Sequence, residues 1–313
     1  MKYFTLLSLF LPLAFGKPIL ERPKPELLKI TNGSVRIGID KSMGAAITHL
    51  SWKGLDQKNT INSHDPGRLI QQSYYAGKHR DRRPDGQHEA WSPWTWNPIQ
   101  GGGVASWARV TRFTKKPDGT ALYSETIPKL WDMPDEEAQA VMKQWTTFEP
   151  GMNKVIAVRN QIVCQRNPDD RWGPAKPSPQ EVPACYFTRN FSTFKSYLGN
   201  GKWKLETQPP GPPWGKTKAV PKHAMACFEK SGQGIAIFSP SAVSWNFGPH
   251  GPGQTTDPAA GPCTHLAPVA RVNLGPTSTL TYRYWLIVGN EKEISSALDL
   301  LWKKYSTERF SLR

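Results

Sequence analysis

The chain has 313 residues, with 40 Lys+Arg against 25 Asp+Glu for a formal net charge of +15, and it carries 29 Pro and 26 Gly. Apolar residues at 38% and charged residues at 21% support a packed core and exclude a disordered chain, and the frequent Pro and Gly exclude a coiled coil. No apolar run reaches the roughly 20 residues that cross a bilayer, so no stable membrane insertion is expected.

Residues 1–16 read as a cleavable secretory signal. Lys2 supplies the positive start, Phe4 to Phe15 the apolar run, and Ala14 and Gly16 the small residues at −3 and −1. Residues 17–313 then form one domain, expected outside the cell. Asn32-Gly33-Ser34 and Asn190-Phe191-Ser192 are sequons that agree with secretion. Cys164, Cys185, Cys227 and Cys263 are spaced 21, 42 and 36 residues apart, which matches no CxxC metal pattern. In an oxidising compartment one or two disulfides are expected instead, with three possible pairings.

Short alternating or β-branched runs separated by turn-formers give an all-β expectation. The predicted strands cover 34–40, 45–52, 106–114, 121–127, 154–164, 184–188, 224–229, 234–239, 269–274 and 279–288. In the last of these, Leu280, Tyr282, Tyr284, Leu286 and Val288 share one face, while Arg283 and Trp285 look toward solvent or a second sheet. One helix is expected after Asn290. That residue can N-cap, Glu293 completes a capping box, and Ile294, Ala297, Leu298, Leu301, Trp302 and Tyr305 form an apolar stripe. Residues 135–143 read as a short helix or a polar loop. Long loops are expected at 77–103, 165–183, 207–223 and 245–268, and loops of that length in a compact domain commonly carry function.

Two segments hold the densest chemistry. Asn62-Ser63-His64-Asp65-Pro66-Gly67-Arg68 is a turn that would present Asp65 and Arg68, followed by Gln72, Tyr74 and Tyr75. His64 or Tyr74 could move a proton, Asp65 could orient His64 or Arg68, and Gln72 and Tyr74 share one parity if extended. Trp94-Thr95-Trp96-Asn97-Pro98-Ile99-Gln100-Gly101-Gly102-Gly103 supplies indole rings for stacking on sugar faces, with Asn97 and Gln100 as amide partners for ring hydroxyls. The three glycines would let the backbone approach a ligand, or would let the loop pack closely on the protein itself. Acidic candidates for glycosidic chemistry are Asp65, Glu125, Glu149 and Glu181, and His223 is a further proton carrier. No histidine or cysteine spacing suggests a transition metal, no phosphate loop occurs, and no cofactor is expected. The basic charge is spread along the chain without a nucleic-acid motif. Anionic glycans, whose acidic groups suit arginine forks, are therefore the expected partners rather than nucleic acid.

Val35-Arg36-Ile37-Gly38-Ile39-Asp40, followed by Gly44-Ala45-Ala46-Ile47-Thr48-His49-Leu50, resembles the opening of galactose-mutarotase-like proteins. Asp65-Pro66-Gly67-Arg68 resembles the Gly-Arg element that supplies a substrate-binding arginine in aldose epimerases. The resemblance covers about residues 34–103. It implies a two-layer antiparallel β-supersandwich, with the long loops and the C-terminal amphipathic helix added to it. This superfamily includes aldose epimerases, glycoside hydrolase domains, polysaccharide lyases and lectin-like modules. No glutamate lies between Glu229 and Glu291, where the epimerases carry a late catalytic one. The expected function is a secreted enzyme that cleaves a glycan by hydrolysis or elimination. In it, Arg68 and Asn97 bind substrate, Trp94, Trp96 and Gln100 line the subsite, and Tyr75, Glu181 and His223 contact substrate. A non-catalytic glycan-binding module is the alternative, and an aldose epimerase the third reading.

Overall fold

Alternation of apolar and polar residues builds two stacked antiparallel sheets in the computed structural model, which describes residues 21–218 and 220–313. The expected signal at residues 1–16 lies outside the described residues. The first sheet runs in the order Leu27–Thr31, Val35–Asp40, Ala46–Trp52, Ile70–Ser73, Ser178–Thr188, Cys263–Val272, Ser244–Pro249 and Gly215–Lys218. The second runs Arg109–Lys115, Ala121–Ile127, Ala140–Phe148, Val155–Cys164, Thr279–Asn290, Gln233–Phe238, Ala224–Phe228, Thr193–Gly199 and Lys202–Glu206. Hairpin neighbours are interrupted by a few pairings across long separations. Ile70–Ser73, for example, pairs with Ser178–Thr188 across more than a hundred residues.

The main core lies between the sheets. Ile37, Leu50, Ile70, Phe187 and Leu266 meet Met142, Ile156, Ile237, Leu280, Tyr284 and Val288 there, all buried. Leu280 to Val288 thus occupy one inward face, as their alternation requires. Trp285 and Ile287 point the other way and are covered by the helix Glu291–Tyr305 through Ile294, Leu298 and Leu301. Trp285 therefore faces neither solvent nor a sheet. The helix begins as its sequence dictates: Asn290 Oδ1 accepts from the Glu293 amide at 3.0 Å, and Glu293 Oε2 accepts from the Asn290 amide at 2.9 Å. Glu149, an acidic candidate, is buried as the anchor of this helix. It accepts from Trp285 Nε1 at 2.9 Å, Lys304 Nζ at 2.7 Å and the Tyr305 hydroxyl at 2.6 Å. Glu125 sits on the second sheet with Tyr123 and Arg112.

Several segments expected as loops are strands. Residues 135–143 give a turn and then the start of Ala140–Phe148, whose side chains alternate between the core and the outer face. Ser178–Thr188 and Cys263–Val272 reach well into the stretches read as loops, because one of their faces carries polar groups such as Glu181, Asn246 on the adjoining strand, and His265.

The disulfide expectation is corrected. Cys164, Cys185, Cys227 and Cys263 are all free and buried. Cys164 and Cys227 belong to the second sheet and Cys185 and Cys263 to the first, and within the first sheet Cys263 pairs in register with Thr188 rather than Cys185. Cys164, Cys185 and Cys227 act as small apolar side chains, Cys263 Sγ accepts from Arg68, and burial pushes the Cys164 thiol up to about 12 and the Cys263 thiol up to about 11. The two sequons also differ. Asn32 is exposed, whereas Asn190 is buried, with its amide donating to Glu229 at 2.7 Å and Gln57 at 3.2 Å. Among the described residues, no helix is long and apolar enough to cross a membrane.

Candidate functional site

Extended backbone sends successive side chains to opposite faces, and this decides which of the candidate residues reach a ligand. Along residues 72–75, Gln72 and Tyr74 do share a face, and that face is the core. The Tyr74 hydroxyl lies 3.1 Å from Gln72 Oε1 and 3.3 Å from the Tyr282 hydroxyl on the second sheet, and both Tyr74 and Gln72 are fully buried. The opposite parity, Ser73 and Tyr75, faces away from the second sheet into a cavity of 450 Å³. Tyr74 and Gln72 are thereby removed from the site as structural residues.

The cavity lies over Ile70–Ser73 and Ser178–Thr188 and is walled by aromatics on two sides. On one side Tyr75 meets Trp94 edge-on at 6.3 Å, Trp94 meets Trp91 at 5.1 Å, and Trp91 meets Trp131 at 5.4 Å. On the other, Trp214 stacks on the His265 ring at 4.7 Å and Tyr186 packs on the same imidazole at 4.5 Å. Trp131, Tyr186, Trp214 and His250 were missed in the sequence. They come from four separate segments that only the sheet pairing assembles.

Between these walls lie Arg68, Asp65, Glu181 and His250. The turn at Asp65–Arg68 is set by Asp65, whose Oδ1 accepts from the Gly67 amide at 2.8 Å while its Oδ2 holds Arg68 Nε at 3.2 Å. Arg68 also donates to Cys263 Sγ at 2.6 Å and lies 5.5 Å from the Tyr186 ring. Glu181 accepts from His265 Nε2 at 3.0 Å and Asn246 Nδ2 at 3.2 Å. Burial works against its charge, but the imidazole and the amide outweigh burial and hold the carboxyl below the usual carboxylate range. His250 is pushed down by burial and then by the Arg68 guanidinium, so its ring is neutral near pH 7. Burial raises the Tyr186 phenol well above its ordinary value, which keeps it a hydrogen-bond donor. The site thus offers an ionised acceptor, a guanidinium and neutral donors inside an aromatic box.

The other sequence candidates divide. Trp94 and Asn97 both line the cavity, and Asn97 is a positioning residue: its Oδ1 accepts from Trp94 Nε1 at 3.2 Å and its Nδ2 donates to the Tyr74 carbonyl. Trp96 is buried on the other side of its strand, under the Arg166 guanidinium at 4.7 Å. Gln100 is fully buried and accepts from the Gln72 amide at 3.1 Å. His64 is exposed beside the cavity without lining it, with Nδ1 2.8 Å from the Ala259 carbonyl, and the histidine that reaches the cavity is His250. His223 belongs to the helix packing, stacked on Trp302 at 5.7 Å, and does not line the cavity. The three glycines serve internal packing: a Cβ at Gly101 would stand 2.3 Å from the Pro66 carbonyl oxygen, and one at Gly102 2.3 Å from that of Ser106. Among the described residues no cluster of metal-ligating side chains occurs.

A scan against protein-family models and a search of curated proteins give no match. Solved structures do match. A GalM/aldose epimerase homologue from C. elegans is 9% identical with a TM-score of 0.50, covering 85% of this chain and 99% of that one. A protein from Synechocystis is 9% identical with a TM-score of 0.47, covering 86% and 97% of the two chains. The heparan sulfate lyase HepC from Pedobacter heparinus is 9% identical with a TM-score of 0.44, covering 88% of this chain and 37% of that one. The fold is that of the galactose mutarotase and aldose epimerase homologues, in accord with the resemblance of residues 34–103.

Proposed function

We propose that this protein is a carbohydrate-active enzyme that holds a sugar unit of a glycan in the aromatic cavity and cleaves the adjoining glycosidic bond. The observation that carries the reading is the gathering of Trp91, Trp94, Trp131 and Trp214 around an ionised Glu181 and the Arg68 guanidinium in one cavity of 450 Å³. Apolar sugar faces stack on indoles, and hydroxyl groups need a buried acceptor and donors, so the chemistry of the lining matches a pyranose. The size lies within the range of small-molecule sites. Glu181 is the base that takes a proton from a water as the water oxygen bonds to the anomeric carbon and the glycosidic bond breaks. Tyr186, which burial keeps protonated, is the donor toward the leaving oxygen, and Arg68 stabilises negative charge that develops beside it. Asp65, the second carboxylate of the cavity, keeps Arg68 in place. Since Arg68 is already matched by Asp65 and Glu181 adds a further negative charge, the ring that enters this cavity is a neutral sugar.

A non-catalytic binding module is the second reading, favoured by one observation. Glu181 and Arg68 already have protein partners at 3.0 and 3.2 Å. Incubation with a panel of neutral and acidic polysaccharides separates the two. New reducing ends that disappear in Glu181→Gln support the enzyme, and an unsaturated uronate among the products overturns the neutral-sugar, hydrolytic reading. Retardation on the polysaccharide without products in wild type overturns catalysis. Extracellular location is part of this proposal and rests on residues 1–16. Mass measurement of the natural protein should find those residues removed.

A further inference from the structure

The outer face of the second sheet carries a groove of 520 Å³, whose lining includes Trp145, Arg159, Arg283, Glu308 and Arg309. It lies on the opposite side of the sandwich from the aromatic cavity, since Tyr282 points inward to Tyr74 while Arg283 points outward. We infer that this groove is a separate binding site for an anionic, sulfated or uronic-acid glycan. The inference does not depend on what the cavity does.

Sheet register explains how the groove is made. Tyr123 pairs with Trp145, Trp145 with Arg159, and Arg159 with Arg283, giving one row across four strands. Two arginines directly opposite each other repel, so this pairing costs stability unless an anion lies between them. Arg283 has Glu308 at 3.2 Å, and Glu308 is the one carboxylate among the lining residues against three arginines. Among the described residues neither Arg159 nor Arg309 enters an ion pair; Arg309 Nη1 donates to the Ser306 and Glu308 carbonyls at 2.8 and 2.7 Å, Arg159 acts on Glu308 at longer range, and both residues are exposed. Arg159 lies 5.2 Å above the Trp145 ring, and Arg112 repeats the arrangement 5.1 Å from Tyr123, whose own ring is 5.0 Å from Trp145. Planar guanidinium forks fit sulfate and carboxylate groups, and the half-buried indole between them offers an apolar face to a sugar ring. An aromatic flanked by exposed arginines that form no ion pair, on a basic protein, is thus suited to an acidic saccharide chain that runs across the strands.

The test measures affinity of the full chain for heparin, polygalacturonate, dextran and single-stranded DNA, in wild type, Arg159→Ala/Arg309→Ala and Trp145→Ala. Heparin and polygalacturonate are expected to bind wild type and dextran not. The double-arginine variant should lose about tenfold or more in affinity for the acidic glycans, the order of magnitude for charge-assisted contacts. Trp145→Ala should weaken them further than charge alone explains. Circular dichroism should show both variants folded, and Trp94→Ala should bind heparin as wild type does. Unchanged heparin affinity in the arginine variant overturns the site. Equal loss of DNA and heparin binding, with DNA the tighter ligand in wild type, overturns its assignment to a glycan.

Discussion

Removing the imidazole behind Glu181 is the sharpest perturbation of this site. His265 is fully buried and donates to Glu181, whose side chain is 12% exposed. In His265→Ala the carboxylate keeps only Asn246 as partner, and breaking a buried pair in this way costs about 3–5 kcal/mol. The residual exposure and the remaining amide point to the lower end, about 3 kcal/mol, or roughly 5 °C in Tm for a chain of this size. The pH dependence follows from the sign of the shift. In wild type the Glu181 value is lowered, so its stabilising contribution is present at neutral pH and is lost only as pH falls through the folded value, below the ordinary carboxylate range. In the variant burial dominates and raises it, so protonation relieves the cost as pH falls toward 5. Urea unfolding at pH 7 and pH 5 measures both effects. The gap between the two proteins should be about 3 kcal/mol at pH 7 and smaller at pH 5, and Glu181→Gln/His265→Ala should cost less than the sum of its single changes. A gap within 0.5 kcal/mol at pH 7, or one that does not narrow, refutes the reasoning, since surface-like changes are of about that size.

Tyr74→Phe should lose about 1–2 kcal/mol of stability in urea unfolding, because it leaves Gln72 and Tyr282 short of a buried hydroxyl, while affinity for a bound sugar is unchanged. Trp94→Ala should weaken sugar binding about tenfold in a fluorescence titration, since one face of the aromatic wall is lost. Asn290→Ala removes the helix cap and should cost about 1 kcal/mol, measured by chemical denaturation, with the cavity unaffected.

What the sequence made legible were features written by local rules. The helix at Glu291–Tyr305 follows from its cap and its stripe, and the strand Thr279–Asn290 from strict alternation. The strand Ala121–Ile127 matches its predicted bounds. Alternation also put Gln72 with Tyr74, but period two tells which residues share a face and not whether that face is core or surface; here Tyr282 from the far sheet claims it. Ser178–Thr188 and Cys263–Val272 were hidden by their composition. Strands that bury polar groups under a cavity lose the apolar signature that identifies strands. Of the cavity residues, Asp65, Arg68, Tyr75, Trp94, Asn97 and Glu181 stood out in dense motifs or as lone acids. Trp131, Tyr186, Trp214 and His250 are brought in by pairings across long separations that no local pattern encodes. The cysteines show the same limit from the other side, since composition and compartment suggest bridges while register keeps Cys185 and Cys263 out of pairing.

The account rests on the cavity between the tryptophans being where a sugar ring sits. A crystal structure of the protein with the oligosaccharide selected by the polysaccharide panel tests this directly. The account predicts a ring stacked on Trp94 or Trp214, with a hydroxyl within hydrogen-bond distance of Glu181. A saccharide bound elsewhere on the molecule, with the space around Glu181 left to water, contradicts it.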